Sequence, residues 1–124
     1  MALIKSCLAG AGGGADMSNW TYTNITSSLN ASASQNFVVS TTSDLSEYDA
    51  IVIAAGFNSS KTGNFTASGC TIVEQLATGF TVESYTYQNK LVLINDVSAS
   101  GFTLTGSGTG TGGAGVMGFG IKFN

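Results

Sequence analysis

Tyr48-Asp49-Ala50-Ile51-Val52-Ile53-Ala54-Ala55-Gly56 decides the reading of this chain. The run has a β-branched centre, no charge after Asp49 and a glycine stop. A short apolar run of this kind fits a strand buried on both faces. Helix is the weaker reading, because Ile51, Val52 and Ile53 in a row are stiff at χ1 and Gly56 ends the run early. The stretch is therefore expected to be the central strand of a β domain.

Period-2 and apolar segments recur on either side. Upstream, Trp20 to Thr26 alternates in good β formers, Ser27 to Gln35 is polar and small, and Asn36 to Thr42 (NFVVSTT) is the next strand. Ser43 to Glu47 reads as one helical turn, with Asp44 as cap and Glu47 reaching back in a capping box. Downstream, Phe57 to Gly69 is a loop or weak strand around Asn64 to Ala67. Cys70 to Leu76 is a strand ended by Thr78-Gly79, and Phe80 to Tyr87 alternates. Gln88-Asn89-Lys90 reads as a tight reversal before a second doubly buried run, Leu91 to Ile94. Phe102 to Thr105 is short and alternating, Gly106 to Gly115 (GSGTGTGGAG) reads as a glycine-rich loop, and Val116 to Phe123 (VMGFGIKF) is the last strand. Short strands at regular spacing, with no helix-length pattern, predict an all-β fold. The expected architecture is a single compact antiparallel β sandwich or jelly-roll-like barrel of about eight strands with no long helix.

The N-terminus has a different character. Residues 1–8 (MALIKSCL) precede Ala9 to Ala15, which holds four glycines in seven residues. The division expected is 1–15 as an N-terminal anchor peptide and glycine-rich linker, and 16–124 as the β domain. Leu3, Ile4 and Leu8 are apolar enough to dock on a neighbour, by strand addition to an exposed edge.

Composition narrows the function. Only 9% of the 124 residues are charged, hydrophobics make up 43%, and there is no proline. Such a surface suits close neighbours better than solitary life, and edge strands lack one usual protection against pairing. With net charge −3, and lysine as the only basic residue type, nucleic acid is not an expected partner. No segment has the length of a membrane span and no targeting signal is read, so the chain is expected to be soluble, with no membrane partner. Cys7 and Cys70 read as two free thiols, although one disulfide is arithmetically open.

Catalytic and cofactor chemistry finds little footing. Two cysteines and no histidine do not supply a zinc site. Asp44, Glu47 and Asp49 crowd into six residues, but calcium loops carry more oxygen ligands and a glycine turn. Gly108 to Gly113 formally matches GxGxxG, yet strand-forming sequence follows where a helix would be required. No histidine or arginine accompanies the serines, so no ordinary base activates a nucleophile. The expectation is a non-enzyme with no cofactor and no metal. The five Asn-x-Ser/Thr triplets, at Asn19, Asn24, Asn30, Asn58 and Asn64, are read as composition.

MALIKS followed by glycines, then DLSEYDAIVIAAG, LVLINDV and the terminal VMGFGIKF, together resemble small virion proteins of tailed bacteriophages. Capsid decoration, head-fibre and tail-fibre knob domains of that kind combine a short anchor with a compact, charge-poor β domain. The resemblance implies a structural protein located in the virion after assembly in the host cytoplasm. Its implied partners are other virion proteins of capsid or fibre, and copies of itself, a trimer being favoured. It carries over no functional residues. Two functions are expected: a capsid decoration or head-fibre subunit docking by its N-terminal segment, or a receptor- or glycan-binding knob in which Trp20, Phe57, Tyr85 and Tyr87 stack on sugars.

Overall fold

The structure is a computed structural model that describes residues 19–59, 63–83, 85–108 and 110–123. The expected anchor residues Leu3, Ile4 and Leu8, the linker and Cys7 lie outside them. Nine strands are described: β1 (Thr21–Asn24), β2 (Asn30–Ser32), β3 (Phe37–Thr41), β4 (Ala50–Ser59), β5 (Phe65–Ser68), β6 (Thr71–Val82), β7 (Tyr85–Asn95), β8 (Phe102–Gly106) and β9 (Gly110–Lys122). Thr26–Ser28 forms a short 3-10 turn, and no α-helix occurs among the described residues. The strands form two antiparallel sheets, ordered β1-β9-β4-β7-β6 and β2-β3-β8-β5.

This order is a nested set of pairings. β4 pairs β7, β3 pairs β8 and β1 pairs β9, so the described strands roll up around β5 and β6. The innermost pair, β5 with β6, is bridged by a side chain. The Gln75 amide accepts the Phe65 N–H at 2.7 Å and donates to the Phe65 carbonyl at 3.1 Å, standing in for a ladder partner. The arrangement is a jelly-roll-like sandwich, as the strand spacing predicts.

The quoted stretch is the middle strand of the larger sheet. Ile51, Ile53, Ala55 and Phe57 point between the sheets, where they meet Phe37, Val39, Phe65, Val92, Ile94, Phe102 and Leu104. Phe37 stacks on Phe57 at 4.5 Å between centroids. Ala50 and Val52 point the other way, into a second cluster with Trp20, Leu93 and Ile121. Both faces are buried, which is why the run carries no alternation.

Three local expectations are corrected. Thr78-Gly79 and Gln88-Asn89-Lys90 do not break the chain, for β6 and β7 run through them as one long hairpin. The hairpin closes between Val82 and Tyr85, which pair, and Glu83 has φ +56°, a positive value of the kind a two-residue hairpin turn demands. Gly110 to Gly115 belongs to β9 and pairs with β4 across Gly115–Gly56, Ala114–Phe57 and Gly110–Ser59. Further along the strand, packing requires glycine. A Cβ on Gly120 would lie 2.5 Å from the Tyr48 ring, and one on Gly118 would lie 2.8 Å from Leu29 Cδ1.

Asp44 does not share a capping box with Glu47. Its carboxylate accepts the Ser46 amide and hydroxyl, while Glu47 pairs with Lys122 at 3.3 Å.

Two stability predictions follow from this packing. Ile53→Ala, at a fully buried site, is expected to cost about 2–5 kcal/mol in urea unfolding. A loss under about half a kilocalorie would contradict its place in the core. Gly120→Ala should cost about 1–3 kcal/mol by driving a methyl into the Tyr48 ring. Tyr48→Ala in the same background should recover part of that loss.

Candidate functional site: an apolar trough on the larger sheet

In an antiparallel sandwich the outer face of each sheet normally meets water and reads polar. The outer face of the larger sheet departs from this along part of its surface. Its β4, β6, β7 and β9 have 10, 12, 11 and 13 residues, against five or fewer for the strands of the smaller sheet. Near the Lys122 end, Trp20 folds over it onto Val52, Leu93 and Ile121, and packs against Phe123 with ring centroids 4.4 Å apart and planes tilted by 36°. Past that cover the face opens into a trough of about 1110 Å³.

Register builds the trough floor. Leu76, Leu91, Ala54 and Met117 form one row across β6, β7, β4 and β9. Leu76 is 53% exposed and Met117 62%. The next row is Thr78, Asn89, Gly56 and Gly115. The space above Gly113 and Gly115 is open, with no atom within 4 Å of where a Cβ would stand. Tyr87 and Asn58 face each other one row further on.

Lys90 is the one charged side chain among the described residues that line the trough, and it points to the inner side. It is almost fully buried beside Ala55 and Ala77. Its ammonium donates to the Gly63 carbonyl and lies 5.0 Å from the Phe65 ring centroid. Burial pushes its pKa down. This is a charge held by a carbonyl and an aromatic face.

The glycan-stacking residues do not come together. Trp20 and Phe57 are interior, Phe57 between the sheets and Trp20 beneath Phe123, so neither presents a face to a sugar. The Tyr85 side chain lies outside those described, and Tyr87 is half-buried at the trough. The three clustered carboxylates also diverge. Asp49 accepts the Phe123 amide at 2.7 Å, while Asp44 and Glu47 engage Ser46 and Lys122. The Ser46 hydroxyl, then its amide, hold the Asp44 carboxyl below its usual range. Cys70 is a free, half-buried thiol whose pKa burial pushes up to about 11, so it is neutral and a poor nucleophile at pH 7.

No protein family and no curated protein matches the chain. Among solved structures, one similar chain belongs to the tripod (BppUct-A-L) from the baseplate of bacteriophage Tuc2009. It is 17% identical over 91% of this chain and 68% of that one, with a TM-score of 0.38. A likeness this loose carries no argument.

Lys90 gives a prediction with a defined sign. Its folded pKa is lowered, so between that value and the ordinary lysine value the unfolded chain binds more protons and stability rises with pH. The burial cost is in full force below the folded pKa and disappears above the unfolded pKa. Lys90→Met keeps the stem and drops the charge. Its melting temperature should equal or exceed wild type at pH 7, and the difference should shift in favour of wild type as pH rises past 10. A large destabilisation at pH 7 would mean that the carbonyl and ring contacts outweigh the cost of burying the charge.

Proposed function

We propose that this chain is a non-enzymatic structural subunit of a bacteriophage particle, a capsid decoration or head-fibre protein that docks through its N-terminal segment. The observation that carries the reading is the outer face of the larger sheet. A charge-poor domain keeps two large apolar side chains, Leu76 and Met117, in the open on a four-strand row. Contiguous exposed apolar surface of this kind marks a contact with another macromolecule. The sequence pattern that resembles small tailed-phage virion proteins adds the setting, a repetitive assembly. Apolar residues Leu3, Ile4 and Leu8, followed by the glycine run, supply a docking element. Tethering such a peptide to a lattice-bound domain raises its effective concentration, which favours high occupancy.

The non-enzymatic part of the proposal is supported by the absence of histidine and arginine from the sequence and by carboxylates that engage separate partners. The glycan-binding alternative loses support, because two of its four rings are buried.

The test is deletion of residues 2–15. The shortened chain should keep the urea-unfolding midpoint of the full chain and lose incorporation into particles. Full incorporation of a folded deletant would overturn docking through the N-terminal segment.

A further inference from the structure

We infer that the trough on the larger sheet of one copy is the seat for residues 1–8 of a neighbouring copy. The inference rests on the reading of that segment as a docking element and names its partner.

Three observations lead there. The first is chemical fit. The trough offers an apolar row, Leu76, Leu91, Ala54 and Met117, beside a glycine floor open at Gly113 and Gly115. The segment MALIKSCL offers Leu3, Ile4 and Leu8, and Lys5 is its one charged side chain. Bare glycine backbone lets an extended peptide approach closely, and a trough of about 1110 Å³ has room for several of its side chains.

The second is where the described chain begins. Asn19 and Trp20 lie at the Lys122 end of the larger sheet, the end opposite the trough. β1 runs antiparallel to β9, from Thr21 beside Lys122 to Asn24 beside Phe119. The direction of β1 therefore leads back, through Trp20, away from the trough. To occupy its own trough, the preceding segment would have to return across the Trp20 ring, which already caps Val52, Leu93 and Ile121.

The third is reach. Residues 9–18 can span at most about 33–36 Å when extended. The five residues of β4 from Val52 to Gly56 cover only about 13 Å. The connection is long enough to cross to an adjacent molecule. A segment leaving one end of the sheet and a seat at the other make a head-to-tail contact, which closes into a ring or continues as a filament.

The experiment is complementation between two full-length variants that each lack one half of the contact. One replaces the segment's apolar residues, Leu3→Asp with Ile4→Asp. The other charges the trough, Leu76→Lys with Met117→Lys, at exposed positions that leave the core untouched. By sedimentation at high micromolar concentration, the wild-type chain should self-associate. Each variant alone should lose association at least about tenfold. An equimolar mixture should give a one-to-one complex, because one partner contributes an intact segment and the other an intact trough. A monomeric wild type, or undiminished association of either variant, overturns the inference. So does a mixture that stays monomeric. If only the trough variant loses association, the seat belongs to the body of a second copy, and the inference fails in favour of that contact. Particle incorporation, scored separately, keeps the proposed function distinct. Variants that associate like wild type but fail to enter particles would refute this seat and leave docking to the particle standing.

Discussion

The structure depends on β4 being buried from both sides. Ile51 and Ile53 complete the core between the sheets, while Ala50 and Val52 complete a second core beneath Trp20. β4 also hydrogen-bonds along both edges, to β7 and to β9. One strand thus joins two apolar clusters and two ladders. Its neighbours inherit their register from it, and the row Leu76–Leu91–Ala54–Met117 is a product of that register. The trough is a by-product of central placement: side chains at even positions of β4 shrink from Val52 to Ala54 to Gly56, and the surface sinks along the same line.

Much of the fold was legible because it is local. The Ile51-Val52-Ile53 run, the Leu91 to Ile94 run and the alternation around Phe102 each appear as strands where expected. The misread stretches are those in which a strand serves an unusual surface. Gln88, Asn89 and Lys90 look like a turn, but Asn89 faces the trough while Gln88 and Lys90 are buried on the inner side. Glycines 110 to 115 look like a loop, since glycine has poor strand propensity. In β9 the alternation Gly118-Phe119-Gly120-Ile121 carries the missing signal: small residues face the core where Tyr48 and Leu29 intrude, and large ones face outward.

The candidate site was less legible for a different reason. Leu76, Leu91, Ala54 and Met117 are scattered over more than sixty positions of sequence, and only antiparallel register makes them neighbours. Burial of Trp20 and Phe57 is equally non-local. An aromatic residue in an alternating strand can face either way, and which side is covered depends on strands that sequence spacing does not pair. The buried Lys90 stands on the same footing, because its carbonyl and ring partners come from Gly63 and Phe65 of a different sheet edge.

The nested pairing also sets a timetable for the growing chain. β9 lies between β1 and β4, so the larger sheet remains split until residues 110–122 have left the ribosome. Until then β4 has a bare edge and an uncovered Ile-Val-Ile run, in a chain with no proline to blunt it. Pairings this distant in sequence form slowly. The glycine spacing in β9 matters here as much as in the finished fold, since small inner-face residues let β9 slide into a slot between strands already made. An aggregation-prone interval therefore lasts until β9 has been made and inserted, and substitutions that delay its insertion should lower soluble yield more than their effect on final stability would suggest.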